Sequence, residues 1–224
     1  MSKSKIFIVD DHPLVREWLT TLIDQTTDLE VCDGAQDAEG ALQGIARSKP
    51  DLAIVDLSLG ADSGIDLLRK IGEKFPKVAM VVLSMHDERA YAERSIRAGA
   101  RGYIMKREST KKVVEAIHEV LNGNIYLSKE LTELFAQKFI AGAGGASPIN
   151  QLSDRELEVF RFIGQGYETR EIAETLNVNI KTIQTYCSRI KDKLNLSSGA
   201  ELLREAMRWN DAGLAVGGGK SGTQ

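Results

Sequence analysis

Residues 6–13 read IFIVDDHP, a run of four apolar residues that ends in two aspartates, a histidine and a proline. Similar apolar runs recur at near-even spacing through the first half of the chain, at 29–32, 52–55, 78–83 and 102–105. The stretches between them carry apolar residues at helical spacing. Parallel strands that are buried on both faces are uniformly apolar. The pattern therefore predicts an α/β domain, a (βα)5 unit with a doubly wound parallel sheet.

Polar side chains follow these runs at the points where the predicted strands end. They are Asp10, Asp11, Asp56, Ser84 and Lys106. Taken singly, each is more typical of a turn, a helix cap or a solvated side chain. Together they meet at the carboxyl edge of one sheet, which is where ligands bind in this architecture.

Three crowded carboxylates repel one another and require a cation, and oxygen ligands at a partly open site favour Mg²⁺. A carboxylate neutralised in this way can attack a phosphoryl group and become an aspartyl phosphate. The hydroxyl of Ser84 and the ammonium of Lys106 can then take the phosphoryl oxygens.

The same segments resemble a response-regulator receiver domain, in the motifs IFIVDDHPLVR, LAIVDLSLGADSGIDLL, VVLSMHD and RGYIMKRES. The resemblance implies that Asp56 is the phosphoacceptor. It also implies that Asp11, Asp56 and the carbonyl of Ser58 hold Mg²⁺, with Asp10 acting through metal-bound water. Such a protein supports its own phosphotransfer and dephosphorylation without being a classical enzyme.

Further roles follow from the resemblance. Ser84 would be the switch hydroxyl, Tyr103 the switch aromatic and Lys106 the phosphate-binding lysine, while Gly64 matches the family's loop glycine. The chain has Leu59-Gly60 where receivers often have Met-Pro, which is expected to loosen the loop after Asp56. His12 is expected to orient its neighbours or to be solvated, and the other two histidines, His86 and His118, are expected on the surface.

The composition changes after the fifth βα unit. Residues 128–140 have the pattern of one more amphipathic helix, and AGAGGASP at 141–148 reads as a linker. We therefore expect a receiver at 1–122, a linker at 123–150, a helical domain at 151–210 and a disordered tail at 211–224.

The helical domain has the pattern of a helix-turn-helix. Ser153 and Glu156 match a capping box, helices are predicted near 170–176, 181–194 and 200–209, and Asn179 is a good N-cap for the helix at 181–194. Polar and basic side chains share one face of that helix and suit contacts to base edges and phosphates. They are Lys181, Thr182, Gln184, Thr185, Ser188, Arg189 and Lys191.

Residues 152–194 are similar to the LuxR-type domain of NarL/FixJ response regulators, with Tyr186 where the family usually has histidine. The resemblance implies a sensor histidine kinase as partner, promoter binding to double-stranded DNA and a homodimer on activation. A formal charge of −3 over 224 residues, taken alone, indicates no nucleic-acid partner. However, residues 181–193 hold four basic residues against Asp192 alone, a local charge of +3.

Two alternatives remain at this stage. The helical domain could bind only protein, with Tyr186 marking lost DNA contacts. The chain could also be an aspartyl-phosphate phosphatase of the haloacid-dehalogenase type, although Asp10-Asp11-His12 lacks the DxD spacing of those enzymes. Cys32 and Cys187 form no CxxC motif, and the start of the chain has neither a signal peptide nor a membrane span, so we expect a cytoplasmic protein without membrane contact.

Overall fold

The computed structural model describes residues 3–60, 62–140 and 148–215. The chain divides into two compact units, residues 1–142 and 143–224, which are treated separately below. None of the described helices is long and apolar enough to cross a membrane.

The described part of the first unit contains a five-stranded parallel sheet and a small antiparallel hairpin. The strands are β1 (Ser4–Val9), β2 (Leu29–Ala35), β3 (Leu52–Val55), β4 (Ser58–Leu59), β5 (Asp62–Ser63), β6 (Ala79–Ser84) and β7 (Gly102–Met105). The order in the sheet is β2-β1-β3-β6-β7, while β4 and β5 form the hairpin. All five apolar runs are strands of the parallel sheet, which confirms the predicted fold class.

Helices cover both faces of the sheet. They are α1 (Pro13–Asp24), α2 (Ala38–Ser48), α3 (Gly64–Lys74), α4 (Glu88–Arg97), α5 (Thr110–Leu121) and α6 (Lys129–Ile140). Ile6 and Ile8 of β1 belong to a buried cluster with residues of α1 and α5. Phe7 points to the other face, where its ring lies so close to Gly44 of α2 that a Cβ there would overlap it. The alternation along β1 thus builds a core on each side of the sheet.

The loop after Asp56 contains a short hairpin. The strands β4 and β5 pair antiparallel, Ser58 with Ser63 and Leu59 with Asp62. Leu59 is only 3% exposed, and Gly60 turns the hairpin with a φ of 56°, which suits glycine. Burial of the Leu59 side chain anchors the hairpin, while the expectation of a loosened loop stays a prediction.

The described part of the second unit is helical. It comprises a short 3-10 turn at Pro148–Gln151, α7 (Asp154–Gly164), α8 (Thr169–Thr175), α9 (Ile180–Leu194) and α10 (Gly199–Ala215). The predicted capping box is present, since Ser153 and Glu156 exchange hydrogen bonds of 2.7 and 3.3 Å. The Asn179 side chain caps α9 by accepting from the backbone N–H of Lys181 at 2.9 Å. The core of this unit is formed by Leu157, Phe160, Ile172, Ile183, Ile190, Leu202 and Ala206.

The predicted tail at 211–224 and the predicted linker lie only partly within the described residues. The helix α10 continues to Ala215, so residues 211–215 are helical rather than part of a disordered tail. Ala212, Leu214 and Ala215 are good helix formers and sustain the helix past Gly213. Residues 216–224 and residues 141–147 of the predicted linker lie outside the described residues.

Candidate functional site

The acidic residues meet at the carboxyl edge of the sheet because β1 and β3 are adjacent. Val9 pairs with Val55, and the backbone N–H of Asp56 donates to the carbonyl of Val9 at 2.8 Å. Asp10 and Asp56 therefore leave neighbouring strands at the same level. One ligand atom from each of Asp10, Asp11, His12 and Asp56 lies within 4.8 Å of the others.

Lys106 lies among these carboxylates. Its Nζ atom is 2.6 Å from Oδ2 of Asp10 and 2.6 Å from Oδ2 of Asp56. Burial alone lowers the pKa of this ammonium, but the two carboxylates outweigh burial and raise the pKa above its usual value. Lys106 is a fixed positive charge at the centre of the site.

Asp56 is 3% exposed. Burial raises the pKa of Asp56 to about 6, with a further contribution from the charge of Asp10, although the attraction of Lys106 opposes both. Lys106 binds only the Oδ2 atom. The other oxygen, Oδ1, is buried and has no hydrogen-bond partner among the described residues. An oxygen without a partner in a buried carboxylate costs free energy unless a ligand occupies it. Oδ1 of Asp11 is a second such oxygen among the described residues, so both carboxylates can accept a ligand here.

His12 lies beside the acid pair Asp10 and Asp11. Its Nδ1 is 2.6 Å from Oδ1 of Asp11, and its backbone N–H donates to Oδ1 of Asp10 at 2.9 Å. The side chain of His12 is 66% exposed. Both expectations for His12, local orientation of its neighbours and solvation, stay predictions.

Ser84 and Tyr103 lie on the next two strands. The backbone N–H of Lys106 donates to the carbonyl of Ser84 at 2.8 Å, which ties the ends of β6 and β7 together beside the site. Ser84 is fully buried, and Tyr103 is 1% exposed. Burial raises the pKa of the Tyr103 hydroxyl well above its usual value, so it remains a hydrogen-bond donor.

The placement of His86 is where the sequence prediction was wrong. Instead of lying on the surface, His86 is 4% exposed, and its ring stacks on Tyr91 at a centroid distance of 4.6 Å. Its backbone N–H donates to Oγ of Ser84 at 3.1 Å, and its carbonyl accepts from the Tyr103 hydroxyl at 2.9 Å. The imidazole Nε2 is 2.8 Å from Oγ of Ser58. His86 therefore connects β4, β6 and β7 beside the acidic cluster.

This role of His86 had a weak signal in the sequence. The residue lies two positions after Ser84, in the loop between a buried strand and a helix. Only the position of the hairpin, which the apolar pattern does not predict, brings Ser58 within reach of the imidazole.

The residues of the cluster fit a magnesium ion better than a transition metal. Three carboxylates supply oxygen donors, and His12 offers the one nitrogen within the described cluster. Hard cations such as Mg²⁺ prefer oxygen ligands. The unpartnered Oδ1 of Asp56 is the oxygen that such an ion or a phosphoryl group would use.

The second unit presents the polar face of α9. Ile183 and Ile190 point inward and are fully buried, whereas the seven side chains proposed for DNA contacts are exposed or half-buried. Tyr186 and Cys187 are half-buried. Burial raises the pKa of the Cys187 thiol, which makes it less reactive.

Lys193 departs from the expected charge pattern. Its Nζ is 2.6 Å from Oε2 of Glu156, whose side chain is 3% exposed. Burial raises the pKa of Glu156, but the bonds from Lys193 and from Ser153 outweigh it and hold the pKa below its usual value. One of the four basic residues between 181 and 193 therefore neutralises a carboxylate of the domain and is not available to a nucleic acid.

Two known families match the chain. Residues 6–118 match the response regulator receiver domain, and residues 150–206 match the luxR family of bacterial regulatory proteins. The oxygen regulatory protein NreC of Staphylococcus carnosus (strain TM300) is 35% identical over 210 residues, which cover 91% of this chain and 97% of NreC. NreC of Staphylococcus epidermidis (strain ATCC 12228 / FDA PCI 1200) is 34% identical over 211 residues, with the same coverage.

Solved structures give a similar result. A LuxR-family two-component response regulator from Aurantimonas sp. SI85-9A1 is 31% identical, covers 62% of this chain and 99% of its own, and has a TM-score of 0.58. RcsB from Salmonella enterica serovar Typhimurium, bound to promoter rprA with the phosphomimetic BeF3-, is 25% identical. The match covers 91% of this chain and 98% of RcsB, with a TM-score of 0.60.

Proposed function

Because the chain belongs to the LuxR-family response regulators, DNA-binding proteins that control transcription, we propose that phosphorylation of Asp56 controls its binding to promoters. The observation that carries this proposal is the buried, unpartnered Oδ1 of Asp56 beside a lysine that holds Oδ2. Residues 1–122 act as the receiver, residues 123–150 as the linker and residues 151–210 as the DNA-binding domain.

A sensor histidine kinase is the phosphoryl donor. An oxygen of the Asp56 carboxylate forms the new bond to phosphorus while the bond from phosphorus to the kinase histidine breaks. The imidazole nitrogen keeps the electron pair of that bond. The ammonium of Lys106 is held in place by Asp10 and is positioned to bind a phosphoryl oxygen as negative charge builds up there.

Mg²⁺ is the cofactor that the donor set favours. Asp11, Asp56 and the carbonyl of Ser58 would hold the ion, with Asp10 acting through water. When bound, it supplies positive charge that offsets the repulsion between the carboxylates and the phosphoryl group. The chain's own contribution is to hold Lys106 between Asp10 and Asp56 and to leave Oδ1 of Asp56 without a side-chain partner.

Ser84 and Tyr103 would respond to the phosphorylation of Asp56 and alter the conformation of the receiver. The Ser84 hydroxyl turns towards the acyl phosphate, and Tyr103 leaves its bond with the His86 carbonyl. The backbone bond from His86 to Oγ of Ser84 links these two movements. The receiver then shifts between two states whose populations depend on phosphorylation.

The shifted receiver favours a homodimer whose α9 helices enter two half-sites of double-stranded DNA. A single small helical domain buries too little surface to bind tightly alone. The structure of RcsB bound to a promoter in the presence of a phosphomimetic supports a link between phosphorylation and promoter binding. A kinase domain and promoter DNA meet in the cytoplasm, where we place the protein.

The proposal is tested by incubation with acetyl phosphate and Mg²⁺. Asp56→Asn should lose the label, while Asp24→Asn, which changes an exposed carboxylate of the same unit, should keep it. Equal labelling of the wild type and Asp56→Asn would contradict the assignment. Light scattering should show more dimer after addition of beryllofluoride, and a mass that stays monomeric at every concentration would exclude dimerisation as the output.

A further inference from the structure

The segment that leads into α6 is paired with the edge strand of the sheet. β7 lies at one edge, and Tyr126 forms a parallel bridge with Gly102. The backbone N–H of Tyr126 donates to the carbonyl of Arg101 at 2.8 Å, and that of Tyr103 donates to the carbonyl of Tyr126 at 3.1 Å. The linker is thus bonded directly to the backbone of the switch aromatic.

A second contact ties the start of α6 to the start of α4. Oγ of Ser128 donates to Oε1 of Glu88 at 2.8 Å. The Ser128 Oγ also accepts from the backbone N–H of Leu131. The Leu131 side chain is 1% exposed. Burial raises the pKa of Glu88, although its bond with Ser128 opposes this. The contact therefore lies in a partly dehydrated environment, where a hydrogen bond is strengthened.

Both contacts adjoin the residues that the switch would move. Tyr103 carries the first, and Glu88 lies two residues after His86, whose carbonyl accepts from the Tyr103 hydroxyl. A movement of the loop from Ser84 to Glu88 changes the geometry of the contact between Ser128 and Glu88, and a shift of the Tyr103 backbone changes that of the contact with Tyr126. Hydrogen bonds depend steeply on distance and angle, so small shifts are enough to weaken them.

We propose that these two contacts dock α6 on the receiver while Asp56 is unphosphorylated, and that phosphorylation releases α6. The inference rests on the proposed role of Asp56. The docked arrangement coexists with a resting site, in which Lys106 binds Asp56 directly and Tyr103 is bonded to His86. α6 thereby carries the state of the receiver into the chain that leads to the DNA-binding domain.

The coupling between docking of α6 and phosphorylation is reciprocal. A contact that is present only in the resting state stabilises that state and therefore opposes the activated state. Loss of the Ser128–Glu88 bond should therefore make the activated state easier to reach. The expected change is about fivefold, which corresponds to one hydrogen bond of ordinary strength.

Hydrogen exchange of the full-length protein tests the proposal. In the wild type, the amides of residues 129–140 should exchange slowly, and beryllofluoride should speed them up. Glu88→Ala should give about fivefold faster exchange without beryllofluoride and about fivefold tighter beryllofluoride binding by calorimetry. Glu88→Gln is the matched control, because its amide oxygen still accepts from Ser128, and it should behave like the wild type.

The outcomes separate this inference from the proposed function. If acetyl phosphate does not label Asp56, the proposed function has failed. If Asp56 is labelled but exchange in 129–140 is the same with and without beryllofluoride, the docking proposal alone is wrong. Equal exchange in Glu88→Ala and the wild type would also overturn it. Ser128→Ala should also exchange faster in residues 129–140. Ser128→Thr keeps the hydroxyl and should exchange like the wild type.

Discussion

The imidazole Nε2 of His86 lies 2.8 Å from the hydroxyl of Ser58, and this contact joins the hairpin after Asp56 to the loop after Ser84. The two residues are 28 positions apart in sequence. Ser58 is the residue whose carbonyl we assign to the metal, and the backbone of His86 bonds both Ser84 and Tyr103. The contact holds the loop after Asp56 and the proposed switch residues in one arrangement.

Removal of this contact from either side should have the same effect. His86→Phe keeps an aromatic ring against Tyr91 but loses the bond to Ser58, and Ser58→Ala loses the same bond. Each change should lower the free energy of unfolding of the first unit by about 1 kcal/mol. The double variant should lose about as much unfolding free energy as either single variant, because both substitutions remove the same interaction.

Urea denaturation followed by Trp18 fluorescence measures these energies, in a Trp209→Phe background that removes the signal of the second unit. Additive losses in the double variant would mean that the two side chains stabilise the protein independently.

Two glycines of α3 should respond in opposite ways to alanine. A Cβ at Gly64 would overlap the carbonyl of Asp56 and the backbone of Leu57. Gly64→Ala should therefore displace the backbone after the nucleophile, lower the unfolding free energy by about 2 kcal/mol or more and slow labelling of Asp56. At Gly72 the nearest atom is Cε of Met80, 3.7 Å away, so Gly72→Ala should stabilise the helix by up to about 1 kcal/mol.

Thermal unfolding and acetyl phosphate labelling of both glycine variants check this pair. A Gly64→Ala variant as stable and as reactive as Gly72→Ala would show that the loop after Asp56 has room that the structure does not display.

In protein freed of Mg²⁺ with a chelator, the Asp56 carboxyl should titrate at a higher pH than an ordinary aspartate. The pKa of this carboxyl is raised from 3.8 to about 6, mainly by burial. Since the folded value exceeds the unfolded one, the stability from this group is complete below pH 3.8 and is lost as pH rises through about 6. Carbon NMR of the aspartate carboxyls should show one group with a midpoint near 6, absent in Asp56→Asn.

Lys106→Met should raise that midpoint further, because it removes the cation that favours the charged carboxylate. Addition of Mg²⁺ should lower it for the converse reason. A midpoint for Asp56 at the ordinary 3.8 would contradict the burial described above.

Two lysines of α9 should differ in their effect on DNA binding. Lys181 is exposed, and we assign it to the DNA face, whereas Lys193 binds the buried Glu156. Lys181→Ala should weaken binding to a footprinted promoter fragment and reduce the slope of log affinity against log salt by about 1. Lys193→Ala should leave the slope unchanged but lower the unfolding free energy of the helical unit by about 1–3 kcal/mol.

Gel shifts over a series of salt concentrations measure the slopes, at a temperature where both variants are folded. Equal loss of slope in the two variants would place Lys193 on the DNA face and contradict its pairing with Glu156.

The fold class and the acidic site follow from the order of residues along the chain. Uniformly apolar runs are the direct consequence of burial on both faces of a parallel sheet, and the parallel sheet brings their carboxyl ends to one edge. Asp10, Asp56 and Lys106 could therefore be predicted to meet, because β1, β3 and β7 end there. The capping box at Ser153 and the cap at Asn179 were also predictable, since caps depend on residues within one turn of the helix.

Which polar side chains face the interior depends on how the elements pack against one another. The burial of His86, its bond with Ser58 and the pairing of Lys193 with Glu156 join residues far apart in sequence. Periodicity describes one element at a time and carries no information on which polar groups from two elements come within hydrogen-bond distance. The bonds from Tyr126 to β7 and from Ser128 to Glu88 arise in the same way, because only the packing of α6 on the first unit brings these partners together.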